Sequence, residues 1–361
     1  MKRITLSIMA FAVALICANV LGQGVTVPRT PSPAAKVIQT IGISTVTISY
    51  SRPSVKSREV WGKLVPYGWN VDPSYGAGKS APWRAGANEN TVIEFSHNAT
   101  VEGKPVPAGS YGLFFVINQD NTGEVILSKE YQSWGSFWYD PDKDQLRAPI
   151  KIRDNAHTEM LTYDFINMDK NSSELVLNWE KKQFPVSIKF AVDDLVIANA
   201  MQQLKGSTAF NWQGYASAAS YTLQNKINMD QGLIWIDQAI ALEQRFGTLI
   251  VKAGLLKATG KAEESEKIRK EALTIAKEPE LNTYGYQLLG QKEYDKAIDV
   301  FKIATEKFPK SANAWDSLGE GYALKGDSKN AITSFKKSLS MNPAGNVRAN
   351  SEKYLKQLGA M

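Results

Sequence analysis

From about residue 35 to residue 191, apolar side chains recur at every second position. In "STVTISYS" (44–51), Val46, Ile48 and Tyr50 alternate with Thr45, Thr47 and Ser49. Runs of the same kind follow at "TVIEF" (91–95), "YGLFFVI" (111–117), "EVILS" (124–128), "APIKI" (148–152), "MLTYDFI" (160–166), "ELVLNW" (174–179) and "PVSIKFA" (185–191). Turn formers separate them: Glu102-Gly103, "NQDNTG" and "DKNSS". Short alternating runs joined by turns, with no helical stretch between them, predict an antiparallel β-sandwich or barrel. At "VDDLVIANAMQQLKG" the period changes to that of a helix and remains so to the C-terminus. The fold class expected is therefore an all-β domain followed by an all-α array.

The helical part repeats. "AWDSLGEGYALKGDSKNAITSFKKSLSMNP" (314–343) places Trp315, Leu318, Gly319, Tyr322, Ala331, Phe335 and Pro343 at the offsets of a tetratricopeptide repeat. Thirty-four residues earlier stand Gly285, Ala297, Phe301 and Pro309. Small residues at Gly319 and Ala331 let the paired helices of a unit cross closely, and Phe335 fills the space between units. The domains expected are 1–22 a signal peptide, 23–34 an extended leader and 35–192 the β-domain. They continue as 193–277 degenerate helical repeats, 278–345 two tetratricopeptide repeats and 346–361 a capping helix. Inner-helix positions Asn282, Tyr286, Asn313, Asp316 and Glu320 are the candidate groove for a protein or peptide partner.

The N-terminus has its own logic. Lys2 and Arg3 precede the apolar run "ITLSIMAFAVALICANVLG", which ends in small residues, as a cleavable secretory signal does. Asn19 and the short span favour cleavage over an uncleaved anchor. Cleavage near Gly22 leaves Gln23 first and removes Cys17, the only cysteine, so the mature chain carries no disulfide. Net charge falls from +6 to +4 with Lys2 and Arg3. That modest excess calls for no nucleic acid, and no later segment is apolar enough to span a bilayer. The expected location is the periplasm or cell envelope.

Several motifs for chemistry fall short. "GAGKS" (76–80) ends like a phosphate-binding loop, but Pro73 stands where its first glycine is needed, and no strand precedes it. Asp140, Asp142 and Asp144 are spaced as in a calcium loop, yet Gln145 replaces the glycine and Lys151 the closing glutamate. With two histidines, His97 and His157, there is little material for a zinc site or a nucleophile–histidine pair. No cofactor, metal or catalytic set is implied. One rival reading is a carbohydrate- or peptidoglycan-related enzyme using Glu89, Glu94 or Asp72, provided one of them shares a concavity with Arg52 and Arg84.

Between Ser51 and Thr91 lies a long loop too rich in Trp and Tyr to stay unpacked. From 51 to 88, Arg52, Lys56, Arg58, Lys63, Lys79 and Arg84 face only Glu59 and Asp72. Cations among aromatic faces suit an anionic or sugar-like ligand. The candidate ligand residues are Arg52, Lys56, Arg58, Trp83, Arg84 and Asn88. An alternative role for Arg84 and Asn88 is to latch carbonyls of the buried loop, while Ala85, Gly86 and Ala87 let backbones approach.

Three blocks here, "ISYSRPSVKSREVWGKLVPYG", "WRAGANENTVIEFS" and "VEGKPVPAGSYGLFFV", resemble the family called domain of unknown function 2911, over roughly residues 31–190. The resemblance carries that family's recurring elements onto Ser51, Arg52 and Pro53; Lys56 and Arg58; Trp83, Arg84, Gly86 and Asn88; and Pro107, Ala108, Gly109 and Tyr111. It implies an exported β-domain often joined to helical repeats, and brings no reaction with it. Ser57 stands where a glycine is usual, and "NVDPSYGAGKSAP" lengthens the loop before Trp83.

Overall fold

A computed structural model describes residues 31–361. The expected signal peptide, 1–22, and most of the expected leader, 23–34, lie outside the described residues. The chain divides into two compact units between Phe190 and Ala191.

The first unit holds two antiparallel sheets. One runs β1 (Ala34–Ile41), β2 (Ser44–Ser51), β3 (Val92–Phe95), β6 (Gly109–Ile117), β7 (Thr122–Ser128), β8 (Asp144–Lys151) in spatial order. The other runs β5 (Lys104–Val106), β4 (Ala99–Val101), β10 (Ser172–Lys189), β9 (Arg153–Ile166). The sheets stay open, which decides for a sandwich over a barrel. Alternation works as the sequence predicts: Val46 and Ile48 are fully buried, while Thr45, Thr47 and Ser49 are not. Aromatic pairs join the two sheets, with Phe115 5.1 Å from Phe184 and Tyr50 4.8 Å from Tyr163 between ring centres.

Two differences from the expected strands have physical causes. Residues 174–179 and 185–191, expected as separate strands, fall on the single β10, which ends at Lys189. Register shifts at Asn178, Glu180 and Lys182, with Glu180 at φ 53°, absorb the polar "EKKQ" as bulges. β1 was not expected as a strand. Its outward face carries Ile38, more than half exposed, and its inward face carries Gln39, so its alternation is blurred. β4 and β5 flank the Glu102-Gly103 turn, and each is three residues long.

The second unit is helical throughout. Its elements are α1 (Val192–Gln203), α2 (Trp212–Asn225), α3 (Met229–Leu242), α4 (Phe246–Ala258), α5 (Ala262–Ile275), α6 (Glu278–Gly290), α7 (Tyr294–Lys307), α8 (Ala312–Lys325), α9 (Ser328–Ser340) and α10 (Gly345–Gln357). α2 with α3, α4 with α5, α6 with α7 and α8 with α9 pack as hairpins, the geometry of a tetratricopeptide solenoid. The small residues behave as the repeat requires. A Cβ on Gly285 would lie 2.3 Å from the Phe301 ring, and one on Gly319 would lie 2.8 Å from the Phe335 ring. Phe335 in turn stacks on Tyr354 of α10, 5.1 Å between ring centres and 11° between planes. Among the described residues no helix is long and apolar enough to cross a membrane.

Candidate functional site

The loop from β2 to β3 is anchored at both ends. At its start Val55 N donates to Glu159 O at 2.8 Å, and Leu161 N donates to Pro53 O at 2.9 Å, which ties the loop to β9. Arg52 joins that anchor: its Nε donates to Leu161 O at 3.0 Å and its Nη2 to Thr162 Oγ1 at 2.6 Å. At the far end Trp83 and Phe115 exchange both backbone hydrogen bonds at 2.9 Å. The Trp83 ring stacks on Trp179, 5.7 Å away and 15° from parallel, and meets Trp61 edge-on at 5.7 Å.

"WRAGAN" is a turn folded onto itself. Ala85 and Asn88 take positive φ, 53° and 63°, and Arg84 Nη1 donates to the Asn88 carbonyl. The fully buried Ala85 presents its carbonyl to Tyr163 OH at 2.9 Å and to Thr91 Oγ1 at 3.1 Å. Gly86 has no room for a side chain, since a Cβ there would lie 2.6 Å from Thr91 Oγ1 and 3.3 Å from Ser51 O. Asn88 reaches Ser32 O through Nδ2 at 3.3 Å. These contacts are those of a latch.

The same turn walls a cavity of about 560 Å³. Lys56, Arg58, Trp83, Arg84 and Asn88 line it, whereas Arg52, committed to β9, does not. Arg58 gives Nε to Val55 O at 3.0 Å and Nη2 to Ser54 O, which leaves it fewer donors for a ligand. Lys56 and Ser57 both adopt positive φ, 48° and 57°, which explains why a glycine suits position 57. Burial pulls the Arg84 guanidinium below its ordinary value, and arginine stays charged at neutral pH even so.

The opposite wall comes from a segment that sequence reasoning did not single out, residues 131–139 after β7. Gly76 N and Ala77 N donate to Ser136 O and Phe137 O, both at 2.9 Å, and Ser136 Oγ donates to Pro82 O at 2.6 Å. Tyr75 stacks on Phe137 at 4.7 Å, so the stretch that lengthens the loop forms part of this wall. Those bonds also occupy two amides that a phosphate-binding "GAGKS" would need. Arg84 lies against this wall, its Cζ 5.4 Å from the Phe137 ring centre. Gly135, at φ 62°, makes the contact possible, because a Cβ there would fall 2.2 Å from Arg84 Cζ. Trp134 stands half-exposed at the cavity lining. The signal for this wall was the aromatic density of "YQSWGSFWY" around a glycine.

None of the carboxylates proposed for catalysis lines the cavity: Glu89, Glu94 and Asp72 are all elsewhere. Asp72 accepts from Ser74 N at 2.9 Å and from the Ser74 hydroxyl, which hold its carboxyl below the usual value. Asp140 accepts from Asp142 N at 3.1 Å, while Asp144 accepts from Tyr139 OH at 2.7 Å and pairs with Arg147. Among the described residues no group of three or more His, Cys, Asp or Glu could hold a metal ion.

In the helical unit, Asn282, Tyr286, Asn313, Asp316 and Glu320 come together in a shallow groove of about 470 Å³, with Asn346, Asn350 and Lys353 of α10. The two acids are committed to neighbouring helices. Asp316 accepts from Asn350 Nδ2 at 2.9 Å and from Ser351 Oγ. Glu320 accepts from Tyr286 OH at 3.0 Å, Asn350 Nδ2 at 3.2 Å and Tyr354 OH at 3.3 Å. Positions 282, 316 and 350, like 286, 320 and 354, are 34 residues apart, so α10 continues the repeat by one more inner helix. The amides of Asn313 and Asn346 make no hydrogen bond among the described residues.

A β-sandwich with an anchored loop thus precedes a tetratricopeptide-like solenoid in one chain. Residues 32–188 match the family described as Protein of unknown function (DUF2911), and the N-terminal unit is a DUF2911 domain. No curated protein matches the chain. Among solved structures it is similar to YrrB, described as a TPR protein with an unusual peptide-binding site, at 16% identity over 45% of this chain and 84% of that chain, TM-score 0.28. It is similar to MamA at 16% identity over 42% of this chain and 89% of that one, TM-score 0.28. The third is pilF of Pseudomonas aeruginosa, at 19% identity over 42% of this chain and 71% of that one, TM-score 0.28.

Proposed function

We propose that this chain is an exported, non-enzymatic binding or scaffold protein whose helical-repeat groove holds an extended segment of a protein or peptide partner. The observation that carries the reading is the pair of uncommitted amides, Asn313 and Asn346, in a groove whose acids are already hydrogen-bonded. An amide offers a donor and an acceptor side by side, which is what a peptide group in an extended strand needs. The β-domain contributes a second contact, a small anionic or sugar-like ligand in the cavity beside Arg84. Export rests on the N-terminal sequence, and intact mass of secreted material should begin close to Gln23.

Selection of a random peptide library against the purified chain tests the groove. Enriched peptides should bind the wild type and lose at least about tenfold in affinity, roughly 1.4 kcal/mol, in the double variant Asn313→Ala, Asn346→Ala. An unchanged melting curve would show that the variant is still folded. Peptides that bind both forms equally, or a library from which nothing enriches, would refute the reading.

A further inference from the structure

The β-domain cavity has a chemistry more specific than a general attraction for anions. Among the described residues its lining holds three basic ones, Lys56, Arg58 and Arg84, and no acidic one. Arg58 already serves two backbone carbonyls, and Lys56 is exposed. Among the described residues of the lining, that leaves Arg84 as the one partly buried cation. Among the described residues its guanidinium has a single acceptor, the Asn88 carbonyl, and no carboxylate within ion-pair distance. Held between the Asn88 carbonyl and the face of Phe137, it presents a planar fork rather than a mobile charge.

Size and lining exclude the simplest anions as good fits. A volume of about 560 Å³ is that of a pocket for a small organic molecule. Trp83 and Trp134 supply aromatic surface, and the half-exposed Trp134 has a face available to a ligand. Asn70 adds a polar edge, since only its Oδ1 is engaged, by Asp72 N at 3.1 Å. Such a site matches a molecule with one apolar face, hydroxyls around its rim and one planar negative group.

We propose that the cavity binds a sugar acid of about monosaccharide size, with its carboxylate on Arg84 and its ring against Trp134. This rests on the anionic-ligand reading given above. One desolvated guanidinium balances one carboxylate. The amides of Gly76 and Ala77, committed to Ser136 O and Phe137 O, add no backbone donors that would favour a doubly charged phosphate.

The test uses the full mature chain and calorimetric titration with glucuronate, galacturonate, glucose, acetate and sulfate. At least one hexuronate should bind, with glucose and acetate each at least about tenfold weaker. Arg84→Gln should abolish the preference for hexuronate over glucose. Because Arg84 also braces its own turn, Trp134→Ala, at an exposed position, provides a variant that leaves the fold intact. It should weaken hexuronate binding by about tenfold or more and leave acetate binding unchanged. Sulfate or acetate binding as tightly as hexuronate, with loss in Arg84→Gln, would overturn the sugar acid and keep the anion site. No binding of any anion would overturn both. Equal binding of hexuronate and glucose, or indifference to Trp134→Ala, would also overturn the proposal.

Discussion

Gly285 gives the sharpest test of the solenoid packing. A methyl group added there would lie 2.3 Å from Phe301 Cε1 and 2.5 Å from Cζ. The ring cannot swing aside, because it is fully buried and has Gly321 of α8 on its other side, where an added Cβ would be 3.2 Å away. Overpacking of this kind costs about 1–3 kcal/mol. The gain in helix propensity from Gly to Ala returns about 1 kcal/mol. Gly285→Ala should therefore destabilise by about 1 kcal/mol or somewhat more. Gly290, in the same helix, is exposed and would present a methyl to open space, so Gly290→Ala should stabilise by up to about 1 kcal/mol. The two variants differ by one methyl each in one helix, and the expected gap of about 2 kcal/mol corresponds to roughly 4–8 °C in a unit of this size. Thermal unfolding followed by the far-ultraviolet helical signal of the full chain measures it. Gly319→Ala, with its clash at 2.8 Å, should fall between them. Equal melting temperatures for Gly285→Ala and Gly290→Ala would refute the close crossing of α6 on α7.

Tyr163→Phe removes one of the two donors to the Ala85 carbonyl, and Thr91 still serves it. The loss in chemical denaturation should be only about 0.5–1.5 kcal/mol, and a larger one would mean that Thr91 cannot hold the turn alone. Asp316 has its carboxyl raised above the ordinary 3.8 by burial, against the hydrogen bonds from Ser351 and Asn350 that lower it. Its folded state thus favours the protonated form, so its contribution is fully present below 3.8 and is lost as pH rises through the folded value. The melting temperature of Asp316→Asn relative to wild type should therefore climb as pH is raised from below that value to neutrality. A flat difference would show that burial does not dominate there.

Elements whose structure is local were legible in the sequence, and those made by distant contacts were not. Val46, Ile48 and Tyr50 alternate because β2 has one buried face, and Gly285, Gly319, Phe301 and Phe335 repeat because each hairpin meets the same steric demand. β1 shows little alternation in the sequence because its outward face holds Ile38 and its inward face Gln39. β10 has the sequence pattern of two strands because a bulge carries polar residues through a strand without ending it. Charge counting brought forward Lys56, Arg58 and Arg84 of the cavity lining, and the "WRAGAN" stretch added Trp83 and Asn88. The wall of Trp134 and Ser136 lies some fifty residues away in sequence and is joined through backbone amides, which any residue type can supply. Arg52 has the same charge as Arg84 but a different task, decided by which carbonyls lie within its reach.

The contact between Arg84 and Gly135 makes one position answerable to another. A side chain at 135 would occupy the space of the guanidinium and would also have to adopt a left-handed backbone. Arginine at 84 and glycine at 135 therefore form a pair that substitution must change together. Across DUF2911 domains, chains that lose the glycine should have lost the arginine too. Chains that keep both are the ones to compare first when a shared ligand is sought.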